Sequence, residues 1–176
     1  MKKYIMVTIA ALISSSFYAQ TAFDKYNGQD DITSVVVNKK MFELMSKVKV
    51  DASDKETQQY MNLIKKLDNL KVFTTTNSRT ASDMKVTADK YVKSAGLDEL
   101  MQINDSGKNV KISVKSAGND SQIQELVMFI EGANRTNETV LMSLTGNFNL
   151  NELSVLTDKM KIPGGEDLKK LSKKTN

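Results

Sequence analysis

Residues 109–131, NVKISVKSAGNDSQIQELVMFIE, decide the fold. In NVKISVK the apolar and polar side chains alternate, which is typical of a strand with one dry face and one solvated face. The turn-forming stretch SAGND follows, and the next strand contains LVMFI, which is apolar at every position. Because this second strand is apolar on both sides, we predict that it lies centrally in an antiparallel sheet.

Two more strand-like segments flank this pair, DELMQIN at 98–104 and ETVLMSLTG at 138–146. Short stretches rich in turn formers separate all four segments, namely DSGK, SAGND and GANRTN. Four consecutive strands joined in this way predict an antiparallel meander.

The first half of the chain alternates strands with helices. Strands are predicted at 32–38 and 71–77. Amphipathic patterns predict four helices: one directly after the first strand, one from Ser53 to Leu67, one from Ser78 to Ala95 and one after Asn149. The predicted order is β-α-α-β-α-β-β-β-β-α. It indicates an α+β two-layer sandwich, with a mixed, mostly antiparallel sheet and the helices on one face.

The N-terminus has the layout of a secretory signal peptide. Lys2 and Lys3 precede an apolar run over 4–13, and serines and Ala19 follow it. We expect residues 1–19 to be removed by cleavage near Ala19, and the product to be periplasmic or secreted. The sequence has no cysteine, so it offers no site for a lipoprotein's lipid or for a disulfide.

The remaining chain divides into a flexible segment at 20–30, a single α+β domain at 31–162 and a basic tail at 163–176. Loss of Lys2 and Lys3 reduces the formal net charge from +4 to +2, which does not suggest a nucleic-acid partner. The tail carries Lys169, Lys170, Lys173 and Lys174. This cluster is either a solvated helix end or a weak contact with an anionic membrane surface.

The residue types that most catalytic sites need are missing. Without histidine or cysteine, the chain has no usual general base, thiol nucleophile or common zinc ligand. The adjacent acidic pairs at 30–31, 98–99 and 166–167 are expected to be surface charge, because neighbours on a strand point to opposite faces. We therefore expect a non-enzymatic protein without a catalytic, metal or cofactor site.

Lys111, Ser113 and Lys115 form a candidate interaction face. They alternate with Val110, Ile112 and Val114, so they lie on the polar side of their strand. This side is either simply solvated or receives a partner. The chain is also rich in methionine, which fills cores and also lines adaptable binding surfaces. A carrier or sensor of a small apolar ligand, bound between sheet and helices, is the alternative to a protein-binding role.

Several segments together resemble one protein family. They are FDKY, KKMFELM, LDELMQINDSGKNVKISVK, ELVMFIEG and LMSLTGNFNLNELSVL, spread over about residues 22–160. The pattern is similar to the domain-of-unknown-function 4252 family, small exported proteins of Gram-negative bacteria. The resemblance transfers no active-site residues. It implies an envelope-stress or regulatory role. Because the catalytic residue types are missing while a signal and a well-patterned core are present, we expect an envelope protein that acts by binding a protein partner in the periplasm.

Overall fold

A computed structural model of the chain describes residues 22–48, 54–105, 107–118, 122–132, 137–153, 156 and 166–167. The predicted signal peptide and the four lysines of the C-terminal tail lie outside the described residues.

The described part contains six strands and three α-helices. The strands are β1 (Thr33–Asn38), β2 (Leu67–Thr75), β3 (Asp98–Asp105), β4 (Lys108–Ser116), β5 (Ile123–Glu131) and β6 (Thr139–Phe148), and the helices are α1 (Lys39–Met45), α2 (Lys55–Ile64) and α3 (Ser78–Ala95). A 3₁₀ turn spans Asp24–Tyr26, and residues 150–153 begin a further helical segment. The predicted order of elements is confirmed.

All six strands form one sheet in the order β1-β2-β6-β5-β4-β3. Every neighbouring pair is antiparallel, so the sheet contains no parallel pair among these strands. The meander β3-β4-β5-β6 is confirmed, and β5 lies inside the sheet as its apolar run predicts. The protein is therefore an α+β sandwich, in which β1 and β3 are the two edge strands.

Local signals at the helix ends act as the sequence predicts. Gly96 ends α3 in the left-handed conformation, with φ of 67°, which glycine adopts without steric cost. Asn149 and Glu152 form a capping box at the last helical segment, where each side chain accepts a hydrogen bond from the other residue's backbone N–H at 3.0 Å. These caps fix where α3 turns back into β3 and where the chain leaves β6.

The first face of the sheet is apolar throughout its centre. Leu70, Val110, Ile112, Met128 and Met142 are among its buried residues. Phe42 of α1, Leu63 and Ile64 of α2, and Leu153 pack in the same cluster. This side of the molecule is the helix-on-sheet layer that the sequence indicates.

The second face is also covered, by α3. Phe73, Val127, Phe129 and Leu141 point to this face and pack with Met84, Ala88 and Tyr91 of α3. The expectation that helices occupy only one face is therefore corrected. The physical reason is that the central strands β2, β5 and β6 carry apolar side chains on both sides, so both faces need cover.

The N-terminal segment at 22–32 is part of this second layer. Phe23 and Tyr26 are each 1% exposed, and the Phe23 ring meets Tyr91 edge-on with centroids 4.9 Å apart. The Tyr26 hydroxyl also donates to Asp83 of α3 at 2.8 Å. Over residues 22–30 the structure thus differs from the expected flexible segment, because two large aromatic side chains anchor the chain on α3.

The junction between α2 and β2 falls earlier than the helical pattern predicts. Asp54 caps the start of α2 by accepting from the backbone N–H of Thr57, while the expected cap Ser53 lies outside the described residues. The helix ends at Ile64, and Leu67 already belongs to β2. Gly146 faces this turn, and a side chain there would approach the Lys66 carbonyl to 2.5 Å.

Candidate functional site

The predicted interaction face divides into three different environments. Ser113 is 1% exposed and therefore cannot contact a partner. The Lys111 ammonium lies 3.2 Å from Asp89 of α3 and 3.5 Å from Glu99 of β3. Lys115 is exposed near the end of β4. The helix α3 covers part of this face, and Lys115 alone of the three remains a fully exposed surface residue.

The charge of Lys111 is held by its neighbours. Burial alone would lower the pKa of its ammonium group, but the Asp89 and Glu99 carboxylates raise the pKa above its ordinary value. Lys111 thus links β4 to α3 and to β3 through ion pairs, and its role in the described structure is structural.

A buried carboxylate also lies on the second face. Glu125 of β5 is 5% exposed, and the Tyr91 hydroxyl donates a hydrogen bond of 2.7 Å to it. Burial raises the pKa of Glu125, and the hydrogen bond from Tyr91 and the charges of Lys115 and Lys71 reduce that rise. Burial and the bond to Glu125 also raise the pKa of Tyr91. The pair joins α3 to the centre of the sheet.

Lys71 supplies a buried positive charge near by. Its ammonium group lies 2.5 Å from the Asp24 carboxylate, which belongs to the N-terminal segment. In the sheet, Lys71 pairs with Ser143 of β6, which is also buried. Lys71 is thus paired inside the chain, and its ion pair attaches the N-terminal segment to the sheet.

The acidic pairs are mostly at the surface, with one exception. Asp30, Asp31, Asp98, Glu99 and Glu166 are exposed. Asp167, however, is buried, and the Lys108 ammonium contacts its carboxylate at 2.6 Å. No local sequence pattern predicts this contact, because its partners are 59 positions apart.

The largest departure from ordinary surface composition is around β1 and α1. Seven large apolar side chains are exposed in the described part of the chain, and five of them fall between positions 35 and 48. They are Val35 and Val36, on opposite faces of β1, Met41 and Leu44 on α1, and Val48 just after it, and we call these five residues the β1–α1 surface. The other two, Val86 and Leu100, lie on α3 and β3, so they are isolated from this group in the fold.

Helix geometry explains why α1 has apolar residues both inside and outside. Phe42 and Met45 pack on the first face, whereas Met41, Leu44 and Val48 are 51%, 51% and 60% exposed. Positions 41 and 44 recur at helical spacing and lie beside the inward-facing residues of α1, and Val48 lies in the turn that follows the helix. The amphipathic pattern predicts this helix, but it does not say which of its apolar residues are buried.

Among the clefts of the described part of the chain, two are lined mainly by polar residues. One, of about 630 Å³, lies between α2 and the last helical segment, and Gln59, Asn62, Lys66 and Glu152 are among its lining residues. The other, of about 290 Å³, lies beside the start of β1, where Asp30, Asp31 and Glu138 are next to threonines. Neither offers the apolar lining that a small apolar ligand needs.

The residues with a described structure contain neither a cluster suited to a metal ion nor a helix suited to crossing a membrane. No three carboxylate side chains there are grouped so that they could hold a metal ion. Among the same residues, no helix combines the length and the apolar character that crossing a membrane requires.

Comparison with known proteins identifies the family of this chain. Neither the curated proteins nor the solved structures include a match to this chain. A family model does match, over residues 26–156, which include all six strands and all three helices. The chain belongs to the DUF4252 family, a domain of unknown function.

Proposed function

We propose that this protein is an exported, non-enzymatic envelope protein that acts by binding a partner polypeptide through the β1–α1 surface. The observation that carries the proposal is the concentration of exposed apolar side chains between positions 35 and 48. A cluster of exposed apolar residues on an otherwise well-sorted protein is typical of an interaction site.

The sequence supports the absence of catalysis in this proposal. It contains neither histidine nor cysteine. The buried Glu125 accepts a hydrogen bond from Tyr91, and the ammonium group of Lys71 is paired with the Asp24 carboxylate. A regulatory or envelope-stress role is consistent with a protein that binds and releases a partner, and it belongs to the same proposal.

The test compares partner capture by matched variants. Leu44→Ser combined with Val48→Ser removes apolar contact from the β1–α1 surface, and Val86→Ser makes the same chemical change at an exposed position on α3. Each chain is expressed in its own host, cross-linked in the envelope and purified. We expect a protein captured by the native chain and by Val86→Ser to be lost from the Leu44→Ser/Val48→Ser variant. An identical set of captured proteins from all three chains would refute the proposed surface.

The same purified chain tests export and the ligand alternative by mass spectrometry. A mature N-terminus at Gln20 is expected, and retention of residues 1–19 would contradict export. Native mass spectrometry should give the mass of the polypeptide alone. A retained small molecule would favour the carrier of a small apolar ligand instead.

A further inference from the structure

The two edges of the sheet are built differently. On β3, the pairing with β4 shifts register between Glu99 and Met101, and the strand carries Asp98, Glu99 and Asp105. Bulges and charged side chains are devices that prevent an edge strand from pairing with another chain. On β1, the pairing with β2 continues without a shift from Thr33 to Asn38, and the strand TSVVVN carries no charge.

The edge of β1 therefore has the properties of a strand that accepts another strand. Val35 faces the first face of the sheet with Val72, and Val36 faces the second with Lys71. Both valines are exposed, at 49% and 44%. Added strands pair through the backbone and gain specificity from the side chains on either face.

Charged residues flank β1 at both ends, and the two lysines also make ion pairs within the chain, Lys39 with Asp68 and Lys40 with Glu43. Asp30 and Asp31 precede the strand, and Lys39 and Lys40 follow it, all four being exposed. The stretch DDITSVVVNKK at 30–40 is thus acidic at one end and basic at the other, with Val35 at its midpoint. In an antiparallel arrangement of two such strands, each acidic end lies beside the basic end of the other copy.

We propose that the occupant of this edge is a second copy of the chain, paired antiparallel through β1 about a two-fold axis at Val35. The inference rests on the proposed function, because it names a partner for part of the same surface. The register places Val35 opposite Val35 of the other copy and Ser34 opposite Val36. It brings Asp30 and Asp31 near the start of the other copy's α1, which carries Lys39 and Lys40. A two-fold axis makes every such contact occur twice.

Face and register agree in this arrangement. A two-fold axis perpendicular to the sheet keeps the first faces of both copies on the same side, and directly opposed residues must share a face. Val35 opposite Val35 satisfies this requirement. Because α1 follows β1 directly and packs on the first face through Phe42, the two α1 helices lie on the same side of the extended sheet.

The interface is small, since it is formed around one six-residue strand in each copy. We therefore expect a reversible dimer whose dissociation constant is on the order of micromolar. Sedimentation velocity of the chain as purified from its host, from about 1 to about 100 micromolar, measures it. A shift from monomer to dimer over this range is expected. A monomer at every concentration overturns the inference, and it leaves the capture test of the proposed function unaffected.

Variants identify the interface. Val35→Asp places two carboxylates opposite each other at the axis and should abolish the dimer, while Val86→Asp, the same change on α3, should leave it intact. Circular dichroism checks that each variant folds. A dimer that survives Val35→Asp in a folded protein overturns the inference.

Charge reversals provide a second test that leaves the apolar residues in place. Asp30→Lys alone, or Lys40→Asp alone, should weaken self-association by roughly tenfold, because like charges then meet twice across the axis. The two variants mixed in equal amounts should form a one-to-one dimer with native affinity. Lys93→Glu on α3 is the control reversal and should have no effect. Failure of the mixture to restore association overturns the antiparallel arrangement, whatever Val35→Asp does to folding.

Discussion

Polar side chains are usually exposed and apolar ones usually buried, and two regions of this protein depart from this rule in opposite ways. Between α3 and the sheet, polar groups such as Glu125, Lys71 and Ser113 are buried. On the β1–α1 surface, apolar side chains such as Met41, Leu44 and Val48 are exposed. The buried acid and lysine have partners within the chain, Tyr91 and Asp24. The exposed apolar residues make the other region the place to look for an external partner.

An unusual residue therefore indicates an external partner only when the fold itself provides neither a hydrogen-bond partner nor cover for its side chain. A buried carboxylate suggests chemistry until its hydrogen-bond donor is found on the facing helix. An exposed Leu44 is unremarkable alone, but it becomes informative beside Met41 and Val48. Changes in the first region should therefore affect stability, and changes in the second should affect association.

Among changes to the polar groups, the largest effect is expected from Tyr91→Phe. This change removes the donor to Glu125 and leaves a buried carboxylate without that hydrogen bond. Loss of a hydrogen bond to a charged group should lower the free energy of unfolding by about 2 kcal/mol at pH 7. Urea denaturation measures this value, and the loss should be smaller in the Glu125→Gln background. An equal loss in both backgrounds would separate Tyr91 from Glu125.

A smaller effect distinguishes the two lysines of the predicted interaction face. Lys111→Glu places a third carboxylate beside Asp89 and Glu99, so it should cost about 1 kcal/mol of unfolding free energy. Lys115→Glu changes an exposed residue and should cost under about 0.5 kcal/mol. Thermal unfolding of the two variants checks this order. If Lys115→Glu proved the more damaging, the assignment of Lys111 as the structural residue would be wrong.

The stability of the protein should also depend on pH through Glu125. The folded pKa of Glu125 is raised above its ordinary value of 4.5, so the folded state binds this proton more tightly than the unfolded state. The stabilisation from that proton is complete below about pH 4.5 and is lost as the pH rises through the folded pKa. At pH 7, the free energy of unfolding of Glu125→Gln should therefore equal or exceed that of the native chain.

The advantage of Glu125→Gln should shrink as the pH falls toward 4.5, where native Glu125 becomes neutral too. Denaturation of both chains at several pH values measures the difference, with Glu166→Gln as an exposed control. A difference that grows as the pH falls would contradict the raised pKa of Glu125.

The smallest effect on stability is expected at the β1–α1 surface. Met41→Ser, Leu44→Ser and Val48→Ser should each change the free energy of unfolding by under about 0.5 kcal/mol, since exposed side chains gain little from folding. Phe42→Ala, on the inward side of the same helix, is the matched contrast and should cost about 3 kcal/mol or more. Equal losses on the two sides of α1 would mean that the exposed stripe is part of the core.

Much of the fold could be predicted because its signals are local. Alternation in β4, the short turns of the meander, Gly96 after α3 and the Asn149–Glu152 capping box each depend on a few neighbouring residues. The two-sided cover was not predicted. The alternation in β4 predicts one solvated face, whereas the apolar run in β5 indicates that both faces are dry at the centre of the sheet.

The candidate site depended on contacts that sequence patterns do not contain. Tyr91 and Glu125 are 34 positions apart, and Lys71 and Asp24 are 47 apart. Helical spacing identified α1, but spacing alone does not say how wide its buried stripe is. Exposure of Met41 and Val48 follows from where α1 sits on the sheet, which is a property of the assembled fold.

Hydrogen–deuterium exchange of the chain, alone and in association with its partner, tests the assignment of the β1–α1 surface most directly. Amide exchange should slow on association in residues 33–48, which contain β1 and α1. Exchange should not change on the solvent side of α3. Protection confined to β4 and α3, with none in residues 33–48, would contradict the assignment of the β1–α1 surface as the site of binding.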